Sequence, residues 1–348
     1  MTKLKAPQKK SFHLSSNSVM LLITIVLFAV LYGAGCVMYA DKDFGRMQNF
    51  ANVLINNAGL LIASCGVTCV MLTGGIDISV GSVVALTCML MSVGLSEWGL
   101  SSGVLIAMAL LFGIVFGLIQ GYCIAYLEIQ PFIVTMAGLF FARGMTAVIS
   151  TQQVSVPFES WFGQLSQIKI SMPFQIGAYM NKKGALIVPY VRITVVVALL
   201  VVLITYLMLR YTKFGRALYA VGGNQQSAAL MGLNVKKTKM MSYALCSFYA
   251  ALGGLCFCLN TMCGTPTQAT GLEMDAISSA VIGGTLLTGG VGNVVGTLFG
   301  VLINGTISSL VKFNGKLVAS WANIITAVLL CFFILLQAIF AKLKEKNK

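Results

Sequence analysis

Residues 210–239 open on Arg210, Lys213 and Arg216. They continue Gly222–Gly223–Asn224–Gln225–Gln226–Ser227–Ala228–Ala229–Leu230–Met231–Gly232 and close on Lys236, Lys237 and Lys239. The stretch is a basic island in an apolar chain, and it reads as a loop between two membrane spans with one short helix written into it. Asn224 is a good N-cap, because its side-chain oxygen can accept from the free amides of a first turn. Gly232 is a good C′ residue, because glycine tolerates positive φ. About two turns of small and apolar residues lie between them and face no lipid. Such a helix is suited to docking into another protein; the alternative is a plain charged connector.

Outward from this loop, the chain is 58% hydrophobic and 9% charged over 348 residues, against about 25% charged in soluble domains. The apolar runs are long and do not alternate, so the expected fold class is an all-α integral membrane protein rather than a barrel. The net charge of +14 is concentrated in three places: Lys3, Lys5, Lys9 and Lys10; the 210–239 loop; and Lys342, Lys344, Lys346 and Lys348. This is the positive-inside pattern. It reports orientation and anionic lipid headgroups, not nucleic acid. The first apolar run is about 22 residues long with no cleavage site after it, and reads as a span rather than a signal peptide.

Ten spans are expected, at roughly 19–40, 49–72, 79–95, 101–126, 131–150, 187–209, 238–260, 274–288, 294–312 and 318–341. Ten crossings put all three basic clusters on one side, the cytoplasm, with both termini there. The opposite side keeps Asp41, Asp43, Glu97, Glu159 and Glu273. The domain reading is a basic tail at 1–18, a single transmembrane domain at 19–341 and a second basic tail at 342–348. A cap at 151–186 lies on the face away from the cytoplasm, with alternation such as Ile168–Lys169–Ile170. It is either a docking surface or a cover for helix ends.

Several spans are short for a lipid-facing helix of about 20 residues. One follows Thr73–Gly74–Gly75–Ile76–Asp77, and another ends in Thr288–Gly289–Gly290. Broken helices survive in a membrane only where protein or a watery cavity satisfies their backbone, and transporters often build their pathway from them. Gly74–Gly75 and Gly289–Gly290 are therefore candidate hinges. Val80–Gly81–Ser82–Val83–Val84 and Val291–Gly292–Asn293–Val294–Val295 echo one another after these breaks; shared glycine chemistry accounts for this as well as a repeat does.

Enzyme chemistry needs converging titratable groups. The single histidine is His13, in the N-terminal tail. Charges at membrane depth reduce to Asp77, Glu128 and Arg143. Asp77 precedes Ser79 and reads as a cap or hinge before it reads as a proton site. Arg143, about 18 Å along its helix from Pro131, is expected to find the outer interface or a polar partner. Asn52, Asn56, Asn57, Thr68, Thr135 and Asn304 either line a route for a hydroxylated solute or hold helices together. The ten cysteines mostly fall in apolar runs as packing residues, and no catalytic or metal site is expected. No Gly-x-x-x-x-Gly-Lys-Ser/Thr loop exists in the chain, so any ATP-driven work falls to a partner.

Four stretches carry a resemblance to a known family: Thr73–Gly74–Gly75–Ile76–Asp77–Ile78–Ser79–Val80–Gly81–Ser82; Gln130–Pro131–Phe132–Ile133–Val134–Thr135; Gly222 to Gly232; and Glu273–Met274–Asp275–Ala276–Ile277 to Gly283–Gly284–Thr285. With these the chain resembles the permease subunits of ribose-type ABC importers. Ala137 to Gly144, and Leu310 to Gly315 with Trp321, look most like a galactofuranose permease subunit, although Ala322 stands where those carry a second aromatic.

The resemblance implies a bacterial inner-membrane importer of a monosaccharide, galactofuranose or a related pentose or hexose. It implies three partners: an ABC ATPase subunit that holds ATP and Mg, a second identical or similar permease, and an extracytoplasmic sugar-binding protein. Gly222, Gly223, Asn224, Ala228, Ala229, Leu230, Met231 and Gly232 are then the ATPase-coupling residues. Asn56, Asn57, Gly74, Gly75, Asp77, Ser79, Phe132, Thr135, Arg143, Gly289 and Gly290 are the pathway and hinge candidates. Nucleosides or other small hydroxylated solutes are the alternative cargo. An ion-coupled secondary transporter is the alternative class, and it predicts buried acidic pairs, which the expected spans do not contain.

Overall fold

A bilayer core offers no water to an open backbone, so apolar runs of this length must close their hydrogen bonds within helices. The computed structural model describes residues 16–171, 177–180, 186–318 and 320–346. Eight helices are long and apolar enough to cross a membrane. They are α1 (Ser16–Met38), α2 (Met47–Leu72), α4 (Ser102–Ala125), α5 (Pro131–Ile149), α7 (Ile193–Tyr211), α10 (Val235–Thr261), α12 (Val294–Asn314) and α13 (Ser320–Lys346). Two more are shorter: α3 (Val80–Ser96) has 17 residues and α11 (Leu272–Ile282) has 11. At 1.5 Å per residue these reach about 26 and about 16 Å. The protein is an all-α integral membrane protein.

Every expected span corresponds to a helix, with four corrections to the expected elements. The span expected at 187–209 starts at Ile193, because the residues before it pair as strands. In the cap, β2 (Lys169–Ser171) pairs with β5 (Tyr190–Arg192), and β3 (Tyr179–Met180) pairs with β4 (Leu186–Ile187). The span expected at 274–288 ends at Ile282, because Gly284, Gly289 and Gly290 all take positive φ. The helix expected only at Asn224–Met231 is preceded by a second, α8 (Lys213–Gly223), ahead of α9 (Gln225–Leu230). The C-terminal basic stretch expected as a tail continues α13 to Lys346. The N-terminal cluster and His13 lie outside the described residues, as do parts of the cap.

At the centre, α2 and α10 are largely enclosed, while α1, α5 and α13 are mostly open at the periphery. The close core packing has a sequence cause. Gly113, Gly117 and Gly121 form a small-residue stripe on α4, laid against the α10 backbone at Ser247, Tyr243 and Met240. Without side chains in the way, helices approach closely and gain dispersion contact where lipid gives no hydrophobic drive.

The register of α11 fixes its depth. Asn304, at the middle of α12, donates to the Asp275 carbonyl at 3.3 Å and to Ser279 Oγ at 2.8 Å, while Gly296 lies against Gly283. The two helices are antiparallel, so α11 begins at half depth and runs toward the end that carries α8 and α9. Its last carbonyls fall inside the bundle; the following turn serves Ser279, Ala280 and Val281, and the outer helices add further donors. Thr24 Oγ1 of α1 donates to Ile282 O at 2.7 Å, and Gln337 Nε2 of α13 donates to Val281 O at 3.1 Å.

The opposite end carries the cap, with β1 (Val154–Ser155) paired to β6 (Cys263–Gly264) and the short helix α6 (Trp161–Gln167). Trp98, Trp161 and Trp321, the three tryptophans of the chain, all lie exposed at this end, as an interfacial aromatic belt does.

Candidate functional site

The basic loop builds itself from its own capping chemistry. Thr212 accepts from Gly215 N at 3.0 Å and starts α8; Asn224 accepts from Ser227 N at 2.8 Å and starts α9. At the far end Gly232 has φ +79, its amide donates to Ala229 O at 2.9 Å, and Leu233 N donates to Ala228 O at 3.1 Å. This is a Schellman stop. The expected cap and stop residues of α9 stand where the sequence placed them.

The expected coupling residues of α9 divide by exposure. Ala228 is fully buried against its own chain, whereas Leu230 is 90% and Met231 70% exposed. Two large apolar side chains thrust into solvent from one short helix end make a knob that a partner groove would cover. Ala229, Gln225 and Gln226 extend this exposed face.

Behind the knob, three glycine segments meet backbone to backbone. Gly290 N donates to Leu72 O at 2.9 Å. A β-carbon on Gly222 would collide with that same Leu72 carbonyl and with Gly290 N. Gly289 (φ +88) lies on Gly74, with 2.7 Å between its virtual β-carbon and Gly74 N. The phenol of Tyr219, on α8, donates to Gly292 O at 3.0 Å; burial pushes its pKa up to about 12, so it stays a donor. The loop after α8 therefore touches both helix breaks directly. Sequence reasoning named all three glycine segments but had no means of joining them.

Deeper in the bundle, Asp77 is buried. Its Oδ1 accepts from Ser79 N at 2.9 Å and Ser79 Oγ at 2.6 Å, and so caps the start of α3. Gln120 of α4 stands 3.3 Å from Ser79 Oγ. Among the described residues Asp77 Oδ2 and Gln120 Nε2 have no hydrogen-bond partner. Arg143 finds carbonyls: Pro266 O at 3.1 Å and Gln268 O at 2.6 Å. It ties α5 to the segment leading into α11.

The remaining candidates do not converge on one cavity. Thr135 donates to Pro131 O and Asn57 to Val53 O, each a turn back on its own helix. Phe132 and Asn56 are exposed on the bundle surface. Thr68 meets Thr297 at 2.8 Å, and Asn304 bridges to α11, so these two do join helices.

One expectation is overturned. The expected spans leave Glu273 outside the membrane and give Asp275 no role, yet the half-depth start of α11 puts both inside the bundle. Glu273 Oε1 accepts from Gly271 N at 3.2 Å, and its Oε2 packs on Gly81 at the start of α3. Carboxylates two residues apart do therefore lie inside. An argument against ion coupling from their absence fails. The alternation Glu273-x-Asp275 and the lone Gln120 and Gln337 in apolar runs were the available signals.

The comparisons with known proteins bear on the whole chain. The family model described as branched-chain amino acid transport system / permease component matches residues 49–334. The inner membrane ABC transporter permease protein YjfF of Escherichia coli (strain K12) is 38% identical, over 91% of this chain and 91% of that protein. The fructose import permease protein FruG of Bifidobacterium longum is 34% identical, over 96% and 95%. The ribose import permease protein RbsC of Escherichia coli (strain K12) is 33% identical, over 83% and 85%. No solved structure matches the chain. The broken helices, the capped basic loop and these full-length likenesses agree, and the chain belongs to the branched-chain amino acid transport system / permease component family, among its sugar ABC permeases.

Proposed function

We propose that this chain is the membrane-spanning subunit of an ATP-driven importer that carries a monosaccharide, galactofuranose or a related pentose or hexose, across a bacterial inner membrane. Two permeases pair, identical or similar, with the α8–α9 end in the cytoplasm and the cap outside. A binding protein delivers the sugar to the cap end. ATP and Mg are held by ATPase subunits that grip the Leu230–Met231 knob. The transmembrane domain is residues 19–341, between two cytoplasmic basic ends.

The observation that carries this reading is the junction of Leu72, Gly74, Gly222, Gly289 and Gly290. A push on α9 passes through α8 into backbone that touches the ends of two interrupted helices, with no flexible side chain between to absorb it. Membrane-buried breaks of this kind are where a small displacement opens or closes a route. Turnover is served by weak cargo contacts along the route, because selection is made by the binding protein.

Copurification tests the coupling. With the ATPase subunit coexpressed, the wild-type chain should retain it through affinity purification. Leu230→Asp should lose it while remaining in the membrane at the normal level, because a carboxylate in an apolar groove is left unpaired. Retention of the ATPase by Leu230→Asp would remove α9 as the docking element.

A further inference from the structure

We propose that the cavity between the loop end of α7, α8 and the start of α12 is a binding site for the headgroup of an anionic phospholipid. The cavity has a volume of about 310 Å³ and is lined by Tyr206, Leu209, Arg210, Tyr219, Asn293 and Val294. That is the lower end of the range for small-ligand sites.

Arg210 supplies the charge, from an exposed position beside two tyrosine rings. It donates to the Tyr206 hydroxyl and lies 5.8 Å from the Tyr206 ring and 5.4 Å from the Tyr211 ring. Yet it has no carboxylate. The ion pairs among the described residues are Arg46 with Asp43 and Lys236 with Glu128. A guanidinium at the cavity with no counter-charge is open to an anion, and its fork of donors matches phosphate oxygens.

The surroundings say which anion. Leu199, Leu203 and Leu207 form an exposed apolar stripe along α7 that runs straight down to Arg210. The spacing is i, i+4, i+8, i+11, one face of a helix. With 19 residues, α7 is about 28 Å long, close to the hydrocarbon thickness of a bilayer. Arg210 in its last turn therefore sits at headgroup level. The lipid-facing side of α7 already places acyl chains along the stripe, so a phosphate on Arg210 fits the headgroup of one of them. Basic residues at this end raise the local concentration of anionic lipid further.

The site has a consequence for coupling, which rests on the function proposed above. Tyr219 forms one wall and bonds to Gly292 beside the glycine junction. A bound headgroup braces α8 against α12 where motion from α9 must pass. Lipid binding itself is independent of that reading, so the test below measures binding alone.

Native mass spectrometry of the delipidated full-length protein, offered equal phosphatidylglycerol and phosphatidylcholine, decides the matter. The wild type should keep phosphatidylglycerol in preference to phosphatidylcholine. Arg210→Ala should lower that retention by about tenfold, the scale of one charge-assisted contact. Arg210→Lys should keep part of it, and Lys213→Ala, outside the cavity, should lower it by no more than about twofold. Equal uptake of both lipids by the wild type overturns the proposal, and so does full retention of phosphatidylglycerol by Arg210→Ala. Competition by millimolar inorganic phosphate that empties the site, with no lipid preference, assigns it to a free anion and overturns it too. Should Arg210→Ala fail to fold, the wild-type preference and the Arg210→Lys value still decide.

Discussion

Gly222 and Gly223 are neighbours with opposite surroundings. A β-carbon at Gly222 meets Leu72 O and Gly290 N, whereas at Gly223 it meets nothing within 4 Å. The obstacles at Gly222 are backbone atoms that cannot turn aside. Gly222→Ala should therefore push the three glycine segments apart, at about 1–3 kcal/mol, and cut transport by about tenfold or more. Gly223→Ala should stay within about 0.5 kcal/mol of wild type. Sugar uptake and thermal unfolding of the two variants check this, and equal behaviour of the pair would remove the junction from the account. Residue-level chemistry explains what was legible in sequence. Asn224 and Gly232 cap α9 through contacts within a few residues, so local pattern suffices. The burial of Ala228 against its own chain lies outside what a local pattern shows. Ala228→Asp should now fail by destabilising α9, unlike Leu230→Asp. Comparing their unfolding temperatures separates the two causes.

A helix that stops inside a bilayer must find donors for its last carbonyls. For α11 the amides of Gly283, Thr285 and Gly284 in the next turn serve Ser279, Ala280 and Val281, Thr24 on α1 serves Ile282, and Gln337 on α13 adds a second donor to Val281. Thr24→Val should cost about 1–3 kcal/mol, the penalty of a buried carbonyl left without its donor, and Gln337→Leu should cost less, because Val281 O keeps the Gly284 amide. Thermal unfolding in detergent measures it, and unchanged stability of both variants would mean that water or lipid headgroups satisfy α11 instead. The existence of ten helical segments was plain from the apolar runs. The end of α11 was not, because no charge or proline interrupts Val281–Ile282–Gly283–Gly284–Thr285–Leu286–Leu287 and the first positive φ after the helix falls at Gly284. The depth of Glu273 and Asp275 follows from that boundary, and so was missed with it. In the echo between residues 80–84 and 291–295, each stretch enters a helix after a glycine break.

Across the whole molecule, charge and aromatic distribution point the same way. The basic loop lies at one end, and the three tryptophans lie at the other. A cysteine at Gln226 should react with a membrane-impermeant maleimide only in inverted vesicles, and one at Gln164 of the cap only in intact cells. Labelling of Gln226→Cys from outside the cell would invert the proposed orientation. The carboxylates inside the bundle make the energy source the sharpest question, since Asp77, Glu273 and Asp275 leave ion coupling open on composition alone. Reconstitution of the chain with its ATPase and binding protein in sealed liposomes answers it. The account predicts that monosaccharide uptake requires ATP on the α8–α9 side, survives an ionophore that collapses ion gradients, and is abolished by Leu230→Asp. Uptake that proceeds without ATP and disappears with the ionophore would contradict it.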